Sequence, residues 1–224
     1  MDFIHIFILS IIQGVTEFLP ISSQSHLILT SYLLGLKDQG LGFDIALHFG
    51  SLIAILIYYR KELRSLLSLN DEGVNYLKLV IIGSIPLPIV GLLFIDIVSQ
   101  NMRSVFSIAS ITILFAVILY LADLKKKEVV TKFANISIYT IIFIGLMQTL
   151  AIMPGVSRSG IVITAALLAN FSREDSIKIA FLLSIPAIFM ATVYQSMQLY
   201  EVGNVEILNQ HMIGMFLSFI FSYI

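Results

Sequence analysis

Two stretches decide how this chain is read: QGVTEFLPISSQSHLILT (Gln13–Thr30) and MPGVSRSGIVIT (Met153–Thr164). Each interrupts an apolar run, Phe3–Leu34 and Ile136–Asn170, that is too long for one membrane crossing, since ~30 Å of hydrocarbon takes about 20 helical residues. Pro20 and the pair Pro154-Gly155 stop a helix, because proline lacks an N–H and clashes with the preceding turn. The serines that follow suit the start of a new helix as caps. Each stretch therefore predicts either two crossings or a re-entrant helix–break–helix. The polar breaks point to re-entrancy, because irregular backbone at membrane depth needs a wet or protein-lined setting.

A shift of 134 residues carries Pro20, Ser23, Ser25 and Thr30 onto Pro154, Ser157, Ser159 and Thr164, and Ala46 onto Ala180. That is the signature of an internal repeat. Repeat one is read as 1–123 and repeat two as 136–224, within a single integral membrane domain over 1–224. The clear crossings are Asp44–Tyr59, Leu79–Val98, Val105–Ala122 and Ile179–Met197. Three of them separate the two breaks, and an odd number inverts the second copy relative to the first. The predicted fold is an all-α polytopic membrane protein, an inverted-topology repeat with two re-entrant hairpins and five to six transmembrane helices. At the same offset, His211–Ile224 falls on the run beginning near Leu77. Val105–Ala122 then has no counterpart, so a final helix is expected to be missing.

Composition agrees with a membrane protein. Hydrophobic residues make up 58% and charged residues 12%, against roughly 25% charged in soluble domains, and mean hydropathy is +0.97. The net charge of −1 provides no basic field for nucleic acid. Absence of Cys excludes disulfides and thiolate chemistry, and absence of Trp leaves the interfacial role to Tyr58, Tyr59, Tyr120 and Tyr194. A cleavable signal peptide is not expected, because no basic residue precedes Lys37. Under the predicted topology one face collects Arg60, Lys61, Arg64, Lys78, Lys125, Lys126, Lys127, Lys132, Arg173 and Lys178, while the other keeps Lys37 and Arg103. The positive-inside rule makes the crowded face cytoplasmic, and puts the N-terminus and the first hairpin's mouth outside.

The candidate chemistry lies in the breaks. Gln13 and Glu17 are four apart, on one helix face. A carboxylate in an apolar stretch costs on the order of 3 kcal/mol at mid-membrane, so Glu17 is either a cation ligand or proton-transfer group, or a snorkelling or paired structural residue. Ser22 and Ser23 are candidate caps or phosphate ligands, and His26 lies one turn on as a base, acid or nucleophile. Arg158, between Ser157 and Ser159, needs an anion: Glu17 in a structural pair, or a phosphate. Two helix N-termini inside the protein would aim N–H groups and positive dipole ends at one cavity. With Mg²⁺ or Ca²⁺ held by Glu17 and Gln13, that combination suits a pyrophosphate. No Gly-rich nucleotide loop supports NTP hydrolysis. His48 and Asp44 are read as helix-end residues that border the cavity at most.

The segments QGVTEFLPISSQSHL (Gln13–Leu27) and PGVSRSG (Pro154–Gly160) resemble the two signature motifs of the undecaprenyl-pyrophosphate phosphatase family of bacitracin-resistance proteins. ALHFGS (Ala46–Ser51) and FLLSIPA (Phe181–Ala187) resemble the helices that follow each motif. The resemblance implies a multi-pass membrane enzyme that removes one phosphate from undecaprenyl pyrophosphate and so recycles the cell-wall lipid carrier. Carried over, it implies catalytic roles for Glu17, Ser23, His26 and Arg158, and substrate binding by Ser22, Ser157, Ser159, Gly155 and Gly160. It also implies a Mg²⁺ or Ca²⁺ ion at Glu17 and Gln13. Gln13 stands where many members have Glu, and Gln24-Ser25 replaces the usual Thr/Ser-Gly. The expected mechanism has Ser23 as nucleophile and His26 as its base, or His26 as nucleophile with Ser23 as a phosphate ligand. Expected partners are a polyprenyl pyrophosphate lipid and the membrane, with a homodimer left open. The rival class is a secondary transporter or flippase for an anionic or lipid substrate.

Overall fold

A computed structural model describes residues 1–66, 70–124, 136–202 and 205–224, all helical in their regular structure. Lys125, Lys126, Lys127 and Lys132 lie outside these residues. The first apolar run forms α1 (Phe3–Thr16) and α2 (Ser23–Leu33), separated by the break at Pro20. The second forms α8 (Ile138–Gln148), a 3-10 turn over Thr149–Ile152, and α9 (Arg158–Leu168). Between them run α3 (Leu41–Tyr58), a short α4 (Arg60–Leu66), α5 (Asp71–Ser84), α6 (Pro86–Asn101) and α7 (Val105–Leu124). The chain ends with α10 (Arg173–Val202) and α11 (Val205–Tyr223).

Among the described residues four helical segments are long and apolar enough to cross a membrane: Leu41–Tyr58, Gly73–Val98, Val105–Leu124 and Arg173–Gln198. The chain is thus a polytopic all-α membrane protein, with α11 a further long helix. The crossing read as Leu79–Val98 is in fact the paired α5 and α6, divided at Ile85–Pro86. Proline is accommodated at the first helical position, where its missing N–H costs nothing. Leu92, Leu93, Phe106 and Ile113 are exposed, an outward apolar surface that only lipid satisfies.

At the 134-residue offset the starts of α1, α2, α3 and α5 fall at or close to those of α8, α9, α10 and α11, and each set packs its core against a helix of the other. Ile6, Leu9, Leu27, Phe43 and Leu47 of the first pack with Leu217 of α11. Ile144, Ile161, Val162, Phe171, Ile179 and Leu183 of the second pack with Leu79 of α5. Both exchanges are close helix crossings at glycine. A Cβ at Gly14 on α1 would lie 2.7 Å from the Phe221 backbone, and one at Gly145 on α8 would lie 2.6 Å from the Gly83 carbonyl. Small residues let backbones approach in this way inside membrane proteins. The exchange brings the two breaks face to face.

Candidate active site

The two breaks begin their second helices differently. Ser157 caps α9 as its sequence suggests, accepting from the Gly160 N–H at 3.1 Å. Gly155 before it has φ +106°, and a Cβ there would lie 2.8 Å from the Ile108 carbonyl, so glycine is required. In the first break the expected serine cap is not made. Ser22 occupies the N-cap of α2 with φ 63° and ψ 86°, and its hydroxyl accepts from Ser25 Oγ at 2.8 Å instead of a backbone N–H. A left-handed non-glycine residue costs roughly 1–2 kcal/mol, and such strain concentrates at functional sites. The consequence is an α2 N-terminus with no side-chain cap, facing the cavity.

The tips touch. Ser159 Oγ lies 3.5 Å from the Leu19 carbonyl. Thr112 on α7 bridges them from behind, 3.1 Å from Ser25 Oγ and 3.2 Å from the Gly155 carbonyl. Between them is a small cavity of about 80 Å³, walled by Glu17, Ser22, Ser23 and His48 on one side and Ser157, Arg158 and Ser159 on the other.

Glu17, buried at the end of α1, is the hub. Its Oε1 accepts from Arg158 Nη2 at 2.7 Å, and its Oε2 accepts from Ser23 Oγ at 2.7 Å and Gln13 Nε2 at 2.9 Å. The ion pair weighed at the sequence level is therefore present. It does not exhaust the guanidinium: a second N–H goes to the Ala180 carbonyl at 3.1 Å, and three of the five donors remain for an anion.

His48 is the residue that sequence reasoning placed too far out. Its Nε2 lies 3.1 Å from Ser23 Oγ and 3.2 Å from Glu17 Oε2. Its Nδ1 lies 2.7 Å from the Asp44 main-chain carbonyl. A carbonyl only accepts, so Nδ1 carries a proton here, and Nε2 is the nitrogen turned to the Ser23 hydroxyl and the Glu17 carboxylate. The usable signal was the four-residue spacing of Asp44 and His48, which makes them neighbours on one helix face.

His26 corrects the expectation in the opposite sense. Its Nδ1 bonds the Ser22 main-chain carbonyl at 2.9 Å, not either hydroxyl, and the ring does not line the cavity. Gly155 and Gly160 also lie behind the wall; they shape the second tip but do not line the cavity.

Gln13 is fully buried and turns its amide N–H to Glu17, with Ser51 Oγ at 3.4 Å. It supports Glu17 from behind and is not placed as a cavity ligand. Among the described residues no group of three His, Asp or Glu side chains is arranged to hold a metal ion. Glu17 is the cavity carboxylate that would hold a Mg²⁺ or Ca²⁺ ion, which would there supply neutralisation of phosphate charge.

A serine hydroxyl beside an imidazole and a carboxylate on one wall, and a guanidinium with a capped helix N-terminus on the other, form an arrangement of the kind that suits anion binding and phosphoryl chemistry. The family described as Bacitracin resistance protein BacA matches residues 6–224, and the chain belongs to that family. Its curated relatives are similar along its whole length. An undecaprenyl-diphosphatase from Saccharophagus degradans is 40% identical, covering all of this chain and 87% of the relative. Another from Elusimicrobium minutum is 43% identical, covering all of this chain and 86% of the relative.

Proposed function

We propose that the chain hydrolyses undecaprenyl pyrophosphate to undecaprenyl phosphate and inorganic phosphate. The observation that carries this reading is the placement of Ser23 Oγ between Glu17 Oε2 and His48 Nε2, across one cavity from Arg158. Membership of a family whose relatives carry that activity in their names supports it.

The terminal phosphoryl group enters between the tips. Arg158, with its three free N–H groups, and the N-terminal amides of α2 and α9 neutralise its oxygens. Ser23 Oγ attacks the terminal phosphorus in line, its proton turning from Glu17 Oε2 to His48 Nε2. The bond from that phosphorus to the bridging oxygen breaks, and undecaprenyl phosphate leaves with the proton handed on by His48, which returns the ring to its starting state. Water, deprotonated through His48, then attacks the phosphoserine and releases inorganic phosphate, and Ser23 regains its proton. Such chemistry depends mostly on positioning and charge stabilisation. A divalent ion held by Glu17 would supply further neutralisation of phosphate charge. The resemblance-based roles of His26 give way here to His48, on the geometry of Ser23. No observation favours the transporter alternative, which needs ligands but no nucleophile–base contact.

We infer that the cavity opens toward the outer side of the membrane. His48 lies seven residues, about 10 Å, from the Leu41 end of α3, and Arg60 and Lys61 follow the opposite end, which the positive-inside rule assigns to the cytoplasm. Purified protein in detergent should release phosphate from undecaprenyl pyrophosphate, and Ser23→Ala should not. Because transport needs a sealed bilayer, absence of release from folded, monodisperse wild-type protein in detergent would overturn the reading.

A further inference from the structure

The first turn of α3 is held from outside the cavity. Gly40 precedes it with no side-chain cap, and Asp44 within it is 1% exposed. A buried carboxylate needs partners for its oxygens. Gln39 Nε2 donates to Asp44 Oδ1 at 2.5 Å, and Arg103 Nη2 donates to Oδ2 at 3.2 Å. Arg103 reaches over from the α6–α7 connection and also grips Asp38 through Nε and Nη2, at 2.7 and 2.6 Å. This forked geometry fixes orientation as well as charge. Gln39 Oε1 accepts from Ser31 of α2 at 2.8 Å, and Ser31 lies 2.9 Å from His5 Nε2 of α1. The network reaches the chemistry one turn on. The Asp44 carbonyl accepts the His48 Nδ1 proton at 2.7 Å, so whatever fixes Asp44 sets both the place of the imidazole and which nitrogen is free. Such outer partners orient catalytic imidazoles.

We propose that Arg103 is a positioning residue for the hydrolysis: by clamping Asp38 and Asp44 together it holds the first turn of α3 where His48 Nε2 meets Ser23. The inference rests on the Ser23–His48 reading given above. Arg103 touches none of the reacting atoms, and its forked hold on two carboxylates is one a lysine point charge reproduces only in part.

The test is a double-mutant cycle read by phosphate release from undecaprenyl pyrophosphate in detergent. Arg103→Gln should lower kcat roughly 10- to 100-fold with KM within about threefold, the scale of a displaced catalytic group, and Arg103→Lys should recover part of the loss. In the His48→Ala background, Arg103→Gln should leave the residual kcat unchanged, because its effect runs through the imidazole. A purely structural Arg103 would depress both backgrounds by the same factor, and that result overturns the inference. Asp38→Asn, at a half-exposed position, should show the same non-additivity more mildly, and decides the matter if Arg103→Gln does not fold. Near-normal kcat in His48→Ala would instead sink the Ser23–His48 reading. An impaired His48→Ala beside an unimpaired Arg103→Gln sinks the clamp alone.

Discussion

Arg158 Nη2 donates to Glu17 Oε1 at 2.7 Å, joining residues 141 positions apart that come from opposite hairpins. The pair joins the two tips and, with the bond to the Ala180 carbonyl, uses two of the guanidinium's five donors. Its members are not equivalent: Glu17 has three further polar neighbours in Ser23, Gln13 and His48, whereas among the described residues Arg158 has besides Glu17 only the Ala180 carbonyl.

Removing Glu17 therefore strands a buried cation, which typically costs about 3–5 kcal/mol. Glu17→Gln is expected to lower the thermal unfolding midpoint in detergent together with turnover. Arg158→Ala leaves a carboxylate still hydrogen-bonded, so the fold should persist while phosphate release falls roughly 10²- to 10³-fold. Near-normal turnover in folded Arg158→Ala protein would remove its role in phosphate binding.

The two histidines separate cleanly. Loss of a positioned general base costs about 10²- to 10⁴-fold, so His48→Ala should lose kcat on that scale. His26→Ala, whose ring faces away from the cavity, should stay within about tenfold of wild type. Steady-state rates that reverse this order would restore His26 as the catalytic imidazole.

Ser22 sits in the left-handed region without using its hydroxyl as a cap. Ser22→Gly should raise thermal stability by about 1 kcal/mol or leave it neutral, since glycine adopts that backbone at little cost. A marked loss of stability would mean that the Ser25–Ser22 hydrogen bond outweighs the strain.

Asp38 gives a pH signature. Burial pushes its carboxyl up, but the Arg103 hydrogen bond, the Gly40 N–H and the guanidinium charge outweigh this and hold it below its ordinary value near 3.8. A lowered folded value means the stabilisation is fully present above the unfolded pKa and is lost as pH falls through the folded one. Thermal unfolding in detergent should therefore show Asp38→Asn less stable than wild type at neutral pH. The gap should close below about pH 3–4.

A divalent ion shared with substrate predicts that chelation suppresses phosphate release and that added Mg²⁺ or Ca²⁺ restores it. Thermal stability without substrate should be unmoved by either treatment, because the protein alone offers one carboxylate. A chelator-induced fall in stability would instead reveal a metal held by protein ligands.

Much of the architecture was legible in one dimension. Pro20 and Pro154-Gly155 mark the breaks because a missing N–H acts locally, wherever the chain later goes. The 134-residue shift likewise pairs α1, α2, α3 and α5 with α8, α9, α10 and α11. Glu17, Ser23 and Arg158 stood out as polar groups where lipid forbids unpaired ones. Subtler features were not legible: Ser22 looks like an ordinary cap, and its left-handed backbone follows from how the first tip is pressed against the second.

Sequence alone determined the apolar runs, their interruptions and the four-residue neighbourhoods along each helix, because helix geometry converts spacing directly into adjacency. It could pair Asp44 with His48 in this way, but not His48 with Ser23, which lie 25 positions apart on different helices. The partner of Ser23 was decided by tertiary structure. Packing of α3 beside the first break delivers His48 to the hydroxyl, while the His26 ring, only one turn away in the chain, bonds the Ser22 main-chain carbonyl and does not line the cavity.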